Sequence, residues 1–115
     1  MTPQTDPLDA LAAHLRRAAR ERQTATYAEI APVAGLDIAR PEDRRALAAL
    51  LAELNRREHA AGRPLLSAVV CLAGRRAPGR GFFRCARELG AHPGGDDGAF
   101  WRAELQRVYG YWAAR

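Results

Sequence analysis

At 115 residues, 48% hydrophobic and 27% charged, the chain has the length and balance of one folded domain and not of a disordered segment. It has no apolar run of the roughly 18 residues that a membrane-spanning helix needs, so no membrane partner is expected. All 18 basic residues are arginine and the net charge is +5; the missing lysine excludes Schiff-base chemistry, a P-loop and lysine-dependent nuclease motifs.

The first segment, Met1 to Leu11, carries two acids and no basic stretch, so it does not read as a secretory signal. The first predicted helix runs from about Pro7 to Arg22. Asp6 caps it, Pro7 suits its first position and Asp9 complements its dipole. Leu8, Leu11 and Leu15 form its apolar stripe, and Arg16, Arg17, Arg20 and Arg22 crowd its C-terminal end.

Gln23–Tyr27 is short and β-prone. Thr26-Tyr27-Ala28-Glu29 has the spacing of a capping box, so a short helix with Ile30, Val33 and Ala34 is expected to follow and to stop at Gly35. Leu36–Arg40 is a connector. Pro41 opens a third helix, which continues to about Ala60 and turns Leu47, Leu50, Leu51 and Leu54 to the core. Arg44, Arg45, Glu53, Arg56 and Arg57 fall on its solvent side.

Leu65–Leu72 reads as a strand with two apolar faces, and therefore as buried on both. It needs a hydrogen-bonding partner. Three candidates offer themselves: Gln23–Tyr27, a return strand after Gly79, or a second copy of the chain in a homodimer. Gly74–Gly81 is a loop, with a β-turn expected over Ala77–Arg80. A short helix from Phe82 to Leu89 and a last helix from about Ala99 to Ala113 complete the order. Five of the eight aromatic residues lie in 100–112, so this last helix is expected to close the core. The sum is a mostly helical α+β single domain, 1–115, with about five helices, a small sheet and a winged-helix-like layout.

Arginine without lysine, beside 25 alanines, reads first as the mark of a GC-rich genome, so position says more than residue type. Residues 1–60 hold nine arginines and nine acids, net zero, whereas residues 61–115 hold nine arginines and four acids, net +5. No acid lies between Glu58 and Glu88, a window with Arg63, Arg75, Arg76, Arg80, Arg84 and Arg87. Such a one-sign run beside glycines suits a phosphate-bearing partner.

Two helices, a strand and a glycine-rich turn, in that order, suit a winged helix. In that layout the second helix of the pair enters the major groove and the turn meets phosphates. Thr26-Tyr27-Ala28-Glu29-Ile30-Ala31 with Gly35 resembles the helix–turn–helix entry of the alkylguanine-DNA alkyltransferase family. That family's reactive Pro-Cys-His-Arg motif has no match, because the corresponding stretch reads Pro64-Leu65-Leu66-Ser67-Ala68-Val69. The resemblance therefore implies DNA binding without alkyl transfer. Gly62–Ser67, Pro78–Phe83 and the Phe100–Trp112 helix are also similar to a group of short, stand-alone bacterial proteins of unknown function.

These readings make non-catalytic binding of nucleic acid, duplex DNA above all, the expected function. Arg75, Arg76 and Arg80 would contact phosphates, and Arg44 and Arg45 would reach base edges or backbone. Gly79, Gly81 and Arg84 would form an anion loop at a helix N-terminus. One rival is a protein-interaction or dimerisation module using the apolar strand or the aromatic last helix. Another is a small enzyme acting on an anionic substrate at Gly74–Gly81, although no nucleophile, base and oxyanion site assemble in the sequence.

No metal and no cofactor is expected, because His14, His59 and His92 are scattered and no ligand spacing occurs. Asp96-Asp97 reads as loop solvation and a helix cap. Arg87 and His92 match the Arg-x4-His spacing of HEPN ribonucleases, but roughly one such match is expected by chance among so many arginines. Cys71 and Cys85 read as reduced thiols of a cytoplasmic protein. Cys85 sits between Arg84 and Arg87, which could lower its pKa, but it also fits a semi-buried helix position.

Overall fold

A computed structural model describes residues 6–115; the first part of the segment read as lacking a signal, residues 1–5, lies outside them. Among the described residues there are five α-helices and one two-stranded sheet, a mostly helical α+β domain. In chain order these are α1 (Pro7–Arg20), β1 (Ala25–Thr26), α2 (Tyr27–Ile30), α3 (Pro41–Ala60), β2 (Val70–Cys71), α4 (Arg80–Glu88) and α5 (Asp97–Ala113). Short 3-10 turns cover Ala31–Ala34 and Leu66–Val69.

The helix ends follow local chemistry. The Asp6 carboxylate accepts the Leu8 N–H at 2.8 Å, and Thr26 Oγ1 accepts the Glu29 N–H at 3.2 Å. α1 ends two residues earlier than expected. Glu21 is its C-cap, and Arg22 takes a left-handed conformation, φ 53°, while the Arg22 and Gln23 amides bond back to Ala19 and Ala18. The connector is tied to α3: Asp43 accepts the Asp37 N–H at 2.9 Å, and Arg44 donates to the Ile38 carbonyl at 2.9 Å. α4 and α5 each begin two residues before the expected position, α5 because Asp96 accepts the Ala99 N–H and caps it.

The strand expected over Leu65–Leu72 is the main correction. Leu66–Val69 is a 3-10 turn, and only Val70–Cys71 is extended and paired. Its partner is the Gln23–Tyr27 segment, in parallel, with Ala25 opposite Val70 and Thr26 opposite Cys71. A parallel pair needs a long crossover, which α2, α3 and the 66–69 turn supply. The pairing is satisfied within one chain, so it requires no second copy.

Side chains explain why Leu65–Val69 is not a strand. Glu104 Oε2 accepts the Leu65 N–H at 2.8 Å, Asn55 Oδ1 accepts the Ser67 N–H at 3.1 Å, and Trp101 Nε1 donates to the Ala68 carbonyl at 2.9 Å. These buried groups take the place of a neighbouring strand's backbone. The segment lies at the centre of the fold, packed by α1, α3 and α5.

After Cys71 the chain does not return as a strand. Leu72–Arg75 forms a tight turn, with the Arg75 N–H on the Leu72 carbonyl and Gly74 at φ 74°. The turn expected over Ala77–Arg80 is thus displaced, and no β-hairpin flanks residues 72–79 among the described residues. The aromatic face of α5 is turned inward, with Trp101, Tyr109 and Trp112 buried. No described helix is long and apolar enough to cross a membrane.

Candidate nucleic-acid interface and adjoining cavity

The acid-free window resolves into two kinds of arginine. Those at its ends reach acids outside or at its border: Arg63 pairs with Glu58, and Arg87 with Asp97. The four between them, Arg75, Arg76, Arg80 and Arg84, are exposed and make no ion pair among the described residues. Arg75 and Arg76 stand on the turn after β2. Arg80 opens α4, and Arg84 lies one turn further along it.

Charge at the start of α4 is locally unfavourable. Its N-cap, Gly79, supplies no side-chain acceptor, and its first turn has no acid. Arginines there add positive charge to the positive end of the helix dipole. An external anion would relieve both effects.

The structure brings Arg76 to a groove of about 460 Å³ that also holds Arg22, Gln23, Thr24, Gln106 and Tyr109. Arg22 was not singled out as a site residue from the sequence. It lies in the turn after α1, with its guanidinium 5.8 Å from the centre of the Tyr109 ring. Arg44 lines a second, apolar groove of about 370 Å³ that reaches Leu72 and Ala73, so the start of α3 and the turn after β2 border one depression. Part of the Arg44 guanidinium is engaged by the Ile38 carbonyl. Arg45, its neighbour, is exposed and forms no ion pair among the described residues.

The anion loop is altered in one respect. The Gly79 N–H, expected to be open to a ligand, donates to the Tyr27 hydroxyl oxygen at 2.9 Å. Gly81 and Phe82 instead border a cavity of about 190 Å³, closed by Leu51 and Ala52 of α3 and reached by Tyr27, Asn55 and Ser67. Asn55 Nδ2 donates to Ser67 Oγ at 2.7 Å, and both residues are buried. Sequence reasoning placed Ser67 in a strand and did not single out Asn55. They lie 12 residues apart, and no local pattern announces their meeting.

Burial pushes the Tyr27 hydroxyl above its ordinary pKa of 10.0, against the smaller, opposing effect of the Gly79 N–H. Tyr27 is therefore a neutral O–H donor at physiological pH. Cys85 also lines the cavity, and burial raises its thiol above the ordinary value, outweighing the contact with Asn55 and the charge of Arg56. The arginines beside it in sequence do not make it a reactive thiolate.

Arg87 and His92 converge, but on Asp97. His92 Nε2 lies 2.9 Å from Asp97 Oδ1, and His92 Nδ1 accepts the Gly94 N–H at 3.0 Å. With Gly94 fixing Nδ1 as the acceptor, Nε2 carries the proton. The ring stacks on Phe100 at 4.3 Å and is sealed from solvent. Both nitrogens are occupied, so the pair ties the 91–96 loop to α5 and has no free base to offer. Among the described residues no group of three or more His, Cys, Asp or Glu is placed to hold a metal ion. No protein-family model, curated protein or solved structure matches this chain.

Proposed function

We propose that this protein binds nucleic acid, duplex DNA in the first place, without catalysing a reaction on it. The observation that carries the reading is the set of four unpaired arginines, Arg75, Arg76, Arg80 and Arg84, on a turn and a helix start without acids. Seven other arginines pair with carboxylates of the same chain, and what sets these four apart from the remaining unpaired arginines is their place together in the long acid-free stretch. Phosphates would serve as their counter-charges, and the released counterions would make binding strongly salt-dependent.

In this reading Arg44 and Arg45 at the start of α3 meet the groove, while the turn after β2 occupies the place of a wing. Its tight turn at Leu72–Arg75 stands where a winged helix has a hairpin. Arg22, beside Arg76 in one groove, extends the contact surface. The phosphate contacts give affinity and register, not sequence specificity. The protein would act in the cytoplasm, a reading that its two free, buried cysteines favour.

The test is fluorescence anisotropy on a labelled duplex over a range of salt. Replacing Arg75 and Arg76 by Glu should nearly abolish binding at low salt and leave the melting temperature close to that of the unmodified chain, since both side chains are exposed. Replacing them by Ala should flatten the salt dependence by about one unit of slope per arginine. Absence of binding to duplex DNA, single strands and RNA at low salt would overturn the proposal.

A further inference from the structure

The cavity between α3 and the first turn of α4 contains hydrogen-bond donors that the chain itself leaves unused. Ser67 Oγ accepts a hydrogen from Asn55, and the Tyr27 oxygen accepts one from Gly79. Each hydroxyl thus already serves as an acceptor, while its own hydrogen meets no acceptor among the described residues. Asn55 gives an amide hydrogen to Ser67, accepts the Ser67 N–H and also contacts the Cys85 thiol, so it orients the serine and offers no spare donor. The Gly81 amide, in the first turn of α4, has no intrahelical acceptor to meet.

Ser67 is 4% exposed, so water does not freely compensate its hydroxyl, whereas Tyr27 is half-buried and Gly81 lies at the open mouth of the cavity. A buried hydroxyl whose hydrogen meets no acceptor is costly, and a cavity that sets one beside a second hydroxyl and a free helix-terminal amide suits an acceptor. No Asp or Glu lines the cavity. The opposite walls, Ala48, Leu51, Ala52 and Phe82, are apolar. The volume, about 190 Å³, slightly exceeds the roughly 150 Å³ that accommodates one benzene.

We infer that this cavity binds a small organic carboxylate, with its oxygens on Ser67, Tyr27 and the first turn of α4, and its hydrocarbon part against Leu51, Ala52 and Phe82. One ring, or a short branched chain, plus the acid group fills the space. The donors and the positive end of α4 match the carboxylate. The apolar walls match the remainder and disfavour an inorganic dianion, whose hydration they cannot replace. The site borders the nucleic-acid surface at the start of α4 but needs none of its arginines.

The experiment is a titration of the full chain with benzoate, with isovalerate and with inorganic phosphate, each to about 20 mM, followed by backbone amide resonances. At least one carboxylate should shift the Ser67, Gly79, Gly81 and Phe82 amides in a saturable way. Ser67→Ala should weaken that binding about tenfold or more. Ala52→Leu keeps every donor, favours the helix and fills the cavity, so it should fold normally and abolish binding. The Arg75→Glu/Arg76→Glu chain should bind the carboxylate as the unmodified chain does. Failure of both carboxylates to give saturable shifts would overturn the inference. So would an equal response to phosphate, or undiminished binding by folded Ala52→Leu protein.

Discussion

The Tyr27 hydroxyl oxygen accepts the Gly79 N–H at 2.9 Å and so joins the start of α2 to the start of α4 across 52 residues of chain. This bond ties the end of the arginine-bearing loop to the helical body, alongside the Leu72 N–H that closes the loop on the Ala77 carbonyl. A Cβ at position 79 would stand 3.0 Å from the same oxygen, so the bond and the glycine depend on one another.

That dependence is measurable. Tyr27→Phe should cost about 1 kcal/mol, and up to about 3 if the Gly79 amide is left without water. Gly79→Ala, whose φ of −74° is open to alanine, should destabilise only through the crowded hydroxyl. Removing that hydroxyl should relieve the crowding, so the double variant should cost less than the two single changes together. Urea denaturation of the four proteins provides the cycle; strict additivity would show that the two residues do not interact.

The two tryptophans of α5 should respond differently to loss of the indole N–H. Trp101 donates to the Ala68 carbonyl, whereas Trp112 Nε1 is buried without a partner among the described residues. Alanine at either position should cost about 3–5 kcal/mol, as for other large buried aromatics. Phenylalanine at Trp101 should cost more than at Trp112, by about 1 kcal/mol, because only there is a hydrogen bond lost. Thermal melts of the two phenylalanine variants decide this, and the reverse order would contradict it.

Glu58 is 1% exposed and is held by Arg16 of α1 and by Arg63, beyond the end of α3. The pair holds Arg63 more firmly charged than an isolated guanidinium, chiefly through its hydrogen bond to Glu58. Glu58→Ala should therefore strand two arginines and cost about 2–4 kcal/mol, the lower figure applying because the arginines remain partly in water. Denaturant midpoints measure the cost. A loss below about 0.5 kcal/mol would place the carboxylate among ordinary surface acids.

Alkaline conditions should destabilise the fold. Burial raises the thiols of Cys71 and Cys85 above 9.0 and the hydroxyls of Tyr27 and Tyr109 above 10.0. The unfolded chain releases these protons first, so above those values it binds fewer protons than the folded chain, and stability falls as pH rises. The melting temperature should decline from about pH 9 upward, and Cys71→Ala/Cys85→Ala should make the first part of that decline shallower. A flat profile through pH 10 to 11 would contradict the burial of these groups.

Local chemistry in the sequence determined where the first three helices begin and where the chain turns at Gly35, while the end of α1 and the starts of α4 and α5 each shifted by two residues. Asp6, Thr26, Gly35, Pro41 and Asp96 act within three or four residues of themselves, so their effects are readable without the rest of the fold. The leucine spacing of α3 and the acid-free arginine window are legible for the same reason. The tertiary structure alone decided the state of Leu65–Leu72. Its two apolar faces show that Leu65–Cys71 is buried, with Leu72 left exposed, but burial does not distinguish a strand from a 3-10 turn. Asn55, Trp101 and Glu104 made that choice by reaching its backbone from 12 to 39 residues away. The same long reach put Arg22 beside Arg76, engaged the Gly79 amide and enclosed the Ser67 hydroxyl. Sequence periodicity reports which face of an element avoids water, whereas the pairing of buried polar groups depends on which elements finally meet.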